Sequence, residues 1–214
     1  MKNSISDPAC PTIAGVILAA GLSTRMGSTL SKVLLPLGNS TILSHIVATA
    51  EKTTLNPIVV VTGHQASLVE TAVNPQRARF SFNAGYKEGN LESLRAGCKA
   101  LGTVDAVMLL LGDMPEIEVS AIEMMCDTWR QSQPFAAVAS YRGDVGHPFV
   151  LSAEAISMVT ALTGAKPIWR WLLEEHRSKV IEIPLDQSKP RDVNTSSDYA
   201  TVLNSICPAK DSET

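Results

Sequence analysis

Three features of the sequence predict an α/β fold, a single three-layer α/β/α domain around a mainly parallel, doubly wound sheet. Apolar, strand-like runs alternate with helical segments of ten or so residues, the order that parallel crossover units require. The strand-like runs are continuously apolar rather than alternating, as in strands buried on both faces. A chain of 214 residues can bury one full hydrophobic core.

The elements follow in order. IAGVILAA (13–20) is a continuous apolar run rich in β-branched residues and reads as the first strand. TILSHIVATAEKT (41–53) has helical periodicity, and PIVVVTG (57–63) is a second buried strand. HQASLVETAV (64–73) reads as a short helix and RFSFNAG (79–85) as a third strand. NLESLRAGCKAL (90–101) is helical, and VDAVMLLLGD (104–113) is the most apolar strand of all. EVSAIEMMCDTWRQS (118–132) reads as a helix with Met124 and Met125 in the core, and FAAVASY (135–141) as a strand. Gly146-His147-Pro148 then marks a rigid loop. AEAISMVTAL (153–162) and IWRWLLEEHR (168–177) read as helices, and VIEIP (180–184) as extended chain. TSSDYATVLNSI (195–206) closes the chain as a helix whose early Ser and Asp suit an N-terminus. Trp129, Trp169 and Trp171 fall on helical segments and are expected to pack. The domain is expected over 13–206, with flexible tails over 1–12 and 207–214.

Charge and cysteine usage exclude several classes. A net charge of −3 leaves no basic footprint for nucleic acid. Cys10, Cys98, Cys126 and Cys207 form no CxxC pair, which argues against zinc and for reduced thiols in a cytoplasm. MKNSISDPACPT lacks the order of a signal peptide, and every apolar run is well short of the roughly 20 residues of a membrane helix. A cytoplasmic protein with no membrane partner is expected.

In doubly wound folds, ligands sit beyond the carboxyl ends of strands. The first run is followed by Gly21-Leu-Ser-Thr-Arg-Met-Gly27, with Arg25 inside it and Lys32 beyond. Glycines free backbone N–H groups to face an anion, and the two cations can neutralise phosphate. The spacing matches neither the Walker pattern nor GxGxxG, so a phosphate loop and a plain strand-to-helix turn both remain open. The strongest strand ends in Gly112-Asp113-Met114-Pro115. A carboxylate there is costly to desolvate without a cation, which suggests a divalent ion carrying phosphates; a helix cap or turn aspartate is the other reading. Asp192-Val-Asn194 offers further oxygen ligands or simple turn residues.

Several of these stretches occur in order along most of the chain. LAAGLSTRMG followed by Lys32, VVVTGH (59–64), FNAGYKEGNLESLRAG (82–97), LLGDMP (110–115), GHPFVL (146–151) and DVNTSSDY (192–199) together resemble the MobA-like nucleotidyltransferases. Within that superfamily they most resemble the molybdenum cofactor cytidylyltransferase group, whose fold is nucleotide-diphospho-sugar transferase-like. The resemblance implies that Leu18, Ala19, Ala20 and Gly21 wrap the base and ribose, and that Arg25 and Lys32 meet the triphosphate. It places Gly63, Asn83, Gly89 and Ser93 along the nucleotide pocket and His147 toward the second substrate. Asp113 would hold Mg²⁺, with Asn194 as a second ligand. Cytidine users in the family read LAAG and guanosine users LAGG, so Ala20 favours CTP. The implied reaction moves CMP from CTP to the phosphate of molybdopterin and releases pyrophosphate, with a molybdoenzyme as recipient of the product.

The sequence departs from the family at three places. Four residues separate Gly27 from Lys32 where the family has two, and with KVLLPL after it this spacing resembles sugar-phosphate nucleotidyltransferases such as the uridylyltransferases of N-acetylglucosamine 1-phosphate. Asn194 stands where cytidylyltransferases carry aspartate, and Asn90 where methionine is common. A transferase using another nucleotide and acceptor, an oxidoreductase, and a non-catalytic cofactor-delivery protein are the alternatives. Against the oxidoreductase stand the missing GxGxxG and the lack of an acidic residue placed for a ribose.

Overall fold

All six residues of β1 (Ile13–Leu18) are buried, as a strand flanked on both edges and covered on both faces must be. A computed structural model describes residues 10–23, 30–163 and 167–208. After β1 come a small hairpin of β2 (Pro36–Leu37) and β3 (Ser40–Thr41), then β4 (Ile58–Thr62), β5 (Arg79–Phe82), β6 (Ala106–Leu111), β7 (Ala136–Tyr141), β8 (Asp144–Ser152) and β9 (Val180–Leu185). The helices are α1 (Ile42–Glu51), α2 (Ala66–Ala72), α3 (Asn90–Leu101), α4 (Val119–Ser132), α5 (Ala153–Thr160), α6 (Ile168–Arg170) and α7 (Ser196–Ile206). Among the described residues, seven strands form one sheet in the order β5-β4-β1-β6-β8-β7-β9, and all run parallel except β8.

Helices cover both faces. On one side α1 and α4 press Leu43, Ile46, Ile122, Met125 and Trp129 onto the sheet. On the other, α3 and α5 contribute Leu94 and Val159, joined by Trp171. A third small cluster, with Val193 and Val202, seats α7 against the β2–β3 hairpin. The expected three-layer, mainly parallel architecture is the one observed.

Several local expectations need correction. Gly146-His147-Pro148 is not a loop after a strand but part of β8, an interior strand. Pairing with β7 jumps from Val138 opposite Phe149 to Ala139 opposite Gly146, so His147 and Pro148 bulge out of the ladder. A proline, having no N–H to donate, fits such a bulge. The β7–β8 turn is made by Arg142 (φ 53°) and Gly143 (φ 97°), a two-residue left-handed turn whose arginine gives no sequence signal. Helix α6 stops at Arg170, and Trp171–Glu175 widen into a π-helical turn. Met124, expected in the core, is 52% exposed, because Ile122, Cys126 and Trp129 take the inward stripe of α4. Trp169 is likewise exposed, whereas Trp129 and Trp171 are buried. All four cysteines are free thiols, and among the described residues no helix is long and apolar enough to cross a membrane. The tails expected over 1–12 and 207–214 lie mostly outside the described residues.

Candidate active site

Register brings the chemistry together. Leu18 pairs with Val61 of β4 on one side and Leu111 of β6 on the other, so the three strands end level. Beyond them the chain leaves β1 as Ala19-Ala20-Gly21 and β6 as Gly112-Asp113, side by side. Between β1 and β6 the order of connection reverses, the crevice position where such sheets bind ligands. Gly112 donates its N–H to the carbonyl of Leu18 at 2.9 Å, and a Cβ on it would lie 2.9 Å from that oxygen. Only glycine allows the two loops this close.

A cleft of about 300 Å³ opens there. Leu18, Ala19, Ala20 and Gly21 line one wall, Ser93 another, and Lys32, Asp113 and Asn194 the floor. The Lys32 ammonium pairs with Asp113 Oδ2 and donates to Asn194 Oδ1 at 2.9 Å. Asp113 sits in the turn after β6 and meets the Lys32 ammonium; the residue before α4 is Glu118, whose side chain makes no capping hydrogen bond. Val193 N–H donates to the Asp113 carbonyl at 2.9 Å, which ties the segment before α7 to the end of β6. Lys32 itself starts a 3₁₀ turn, its own N–H donating to Ser23 Oγ at 2.9 Å while Ser31 N–H donates to Gln65 Oε1 at 2.8 Å.

Asn194 is held from two sides. Its Nδ2 donates to Asp192 Oδ2, which leaves Oδ1 facing Lys32. Its backbone N–H donates to Asp198 Oδ2 at 3.1 Å. Asp198 and Thr195 form a reciprocal capping box at the start of α7, and these hydrogen bonds, first that from the Thr195 hydroxyl, hold the Asp198 carboxyl below its ordinary pKa. The donor set of Asp113 carboxylate and Asn194 amide oxygen, with the Asp192 carboxylate adjacent, is all hard oxygen and suits Mg²⁺ or Mn²⁺. Among the described residues no cluster of three His, Cys, Asp or Glu forms a metal cage.

The remaining expected residues stand around this cleft or away from it. Arg25 lies outside the described residues. Asn83 is a layer behind Ser93: Nδ2 donates to Ser93 Oγ at 3.1 Å and Oδ1 accepts from Gly85 N–H, so its orientation is fixed. Gly63 does not line the cleft but packs beneath it, where a Cβ would lie 2.5 Å from Tyr86 Cβ and 2.8 Å from Ala20 Cβ. Gly89 adopts φ 111° to turn the chain into α3. His147 is not among the lining residues. Its ring stacks on Phe149 at 4.1 Å, its Nδ1 lies 3.4 Å from the Leu109 carbonyl, and burial lowers its pKa to about 4. Ser23, Tyr86, Asn90 and Asp192 also line the cleft. Each lies inside a quoted motif, yet only the fold turns them inward.

The chain belongs to the MobA-like NTP transferase domain family, which matches residues 15–180. Among solved structures, the Rv0371c homologue of Mycobacterium tuberculosis from Mycobacterium sp. strain JC1 aligns with a TM-score of 0.80 at 32% identity, covering 91% of this chain and 96% of that one. Rv0371c of Mycobacterium tuberculosis in complex with manganese aligns with a TM-score of 0.77 at 28% identity, covering 91% and 100%. The bifunctional protein GlmU of Burkholderia ambifaria is 37% identical over 116 residues, 54% of this chain. The chain spans about a quarter of that relative's length, at 25%.

Proposed function

We propose that the protein is a nucleotidyltransferase that moves CMP from CTP to the phosphate of molybdopterin, releasing pyrophosphate. The observation that carries this reading is the meeting of Leu18–Gly21 with Lys32, Asp113 and Asn194 at one strand-end cleft, a wall for a nucleoside facing a cation and hard oxygen ligands. The manganese complex of a 28%-identical relative supports a divalent ion on Asp113 and Asn194. Ala20 supports CTP, since a methyl against the base edge discriminates by about 1–3 kcal/mol.

An oxygen of the acceptor phosphate forms a bond to the α-phosphorus as the bond to the β-phosphate oxygen breaks, and pyrophosphate leaves with the electron pair. A phosphate monoester is already anionic, so no strong general base is needed. Lys32, with Arg25 seven residues before it in the sequence, binds the triphosphate and neutralises charge that grows in the transition state. A bound divalent ion supplies Lewis-acid stabilisation of the phosphates. Asn83 and Ser93 orient the nucleoside, and any role of His147 toward the acceptor is indirect, since its ring is packed on Phe149. The reading carries a cytoplasmic location and transfer of the product to a molybdoenzyme.

A second reading, with a sugar phosphate as acceptor, is favoured by the four residues between Gly27 and Lys32 and the KVLLPL that follows. A pyrophosphate-release assay with CTP, Mg²⁺ and molybdopterin tests the primary one. Turnover is expected in the wild type and absent in Lys32→Ala and Asp113→Ala, both still folded by circular dichroism. Wild-type-like turnover in either variant would refute those roles.

A further inference from the structure

We infer that Lys32 closes the cation position of the cleft until a triphosphate draws it away, so that the divalent ion enters with the nucleotide and not before it. The inference rests on the nucleotidyltransferase reading and adds an order of binding to it. The Lys32 ammonium sits on the oxygens that a metal would use, pairing with Asp113 Oδ2 and lying 2.9 Å from Asn194 Oδ1. The side chains of Lys32 and Asp113 are only 14% and 16% exposed, so water screens their charges weakly. A dication brought to the same oxygens would be repelled at close range by an ammonium that has not moved.

The geometry also says what moves. The backbone of Lys32 is held by Ser23 Oγ at 2.9 Å and by the Leu35 N–H on its carbonyl at 3.2 Å. The mobile part is the four-carbon stem, which can swing the ammonium toward an anion without disturbing the turn. Asn194 keeps its amide oxygen aimed at the vacated position through Asp192 on its Nδ2 and Asp198 on its backbone N–H. Phosphate oxygens offer the ammonium new partners and add ligands to the Asp113 and Asn194 oxygens that it leaves, as Mg²⁺ and Mn²⁺ sites in nucleotide enzymes commonly use. Nucleotide and metal then tighten each other's binding by the same factor.

The test titrates Mn²⁺ alone, and Mn²⁺ with CTP, into wild type and Lys32→Met, reading free Mn²⁺ by electron paramagnetic resonance. Wild type is expected to bind Mn²⁺ on the order of tenfold more weakly without CTP than with it, and Lys32→Met to bind Mn²⁺ alone on the order of tenfold more tightly than wild type. If Lys32→Met binds Mn²⁺ alone no better than wild type, while wild type with CTP binds it well, this inference is overturned and the transferase reading stands. Tight binding of Mn²⁺ alone by wild type overturns it too. No Mn²⁺ binding by wild type even with CTP overturns both. Lys32→Gln carries the same test should Lys32→Met prove unfolded by circular dichroism.

Discussion

Gly63→Ala perturbs the cleft without adding an atom to its surface. The new Cβ would lie 2.5 Å from Tyr86 Cβ and 2.8 Å from Ala20 Cβ, where carbon atoms normally rest at about 3.5–4.0 Å. Neither neighbour is the free end of a flexible chain. Ala20 Cβ moves only with its backbone, whose carbonyl accepts from His64 N–H at 3.2 Å, and Tyr86 opens a 3₁₀ turn. Relief therefore shifts one cleft wall by about 1 Å, and overpacking of this kind costs about 1–3 kcal/mol. In a chain of this size that lowers Tm by roughly 2–12 °C. CTP affinity is expected to fall about tenfold, the equivalent of ~1.4 kcal/mol, because Ala20 and Tyr86 both line the cleft. Thermal melting and calorimetric titration read the two effects. Gly21→Ala is the control, with nothing within 4 Å of its Cβ and no left-handed backbone, and its stability should stay within ~0.5 kcal/mol of wild type. Gly63→Ala with wild-type Tm and affinity would refute the reasoning that the Tyr86–Ala20 contact shapes the cleft.

Two more outcomes follow from local geometry. Thr195→Ala removes the α7 cap and should cost about 1 kcal/mol in urea denaturation. It should also weaken Mg²⁺-dependent CTP binding, since the capping box holds the backbone of Asn194. Burial lowers His147 from 6.5 to about 4, so between these values the unfolded chain binds more protons than the folded one. Its contribution, at most about 3 kcal/mol, is complete above pH 6.5 and lost as pH falls toward 4. Denaturation series at pH 7, 5.5 and 4 should show this slope, and His147→Asn should flatten it.

Periodicity made the sheet and its covering helices legible, because a strand such as VMLLL is buried on both faces and must be apolar throughout. It failed where conformation is decided by tertiary context. His147-Pro148 looks like a loop until the β7 partner shows the bulge that accommodates it, and Trp171–Glu175 carry no breaker to announce a widened turn. In the cleft, charged and glycine-rich positions stood out because they follow the ends of buried strands, where phosphate loops and plain turns both draw on such residues. Leu18–Gly21, Lys32, Ser93, Asp113 and Asn194, each named from a motif, line one cleft. Gly63 and Asn83 lie behind the cleft surface, which spacing alone does not distinguish from contact. Tyr86 drew no notice and Asn90 was seen only as a departure from the family, because neither residue type announces a cleft wall; Gly89, with φ of 111°, sits between the turn that carries Tyr86 and the start of α3 at Asn90.

The most direct test of the account is calorimetric titration of the purified protein with CTP, GTP, UTP, ATP and NADPH, each with and without Mg²⁺. Mg²⁺-dependent binding with CTP tightest is the predicted result. UTP or GTP binding more tightly would overturn the cytidylyl reading and leave the metal-dependent chemistry intact. Binding of NADPH with no response to any triphosphate would contradict the account at its centre.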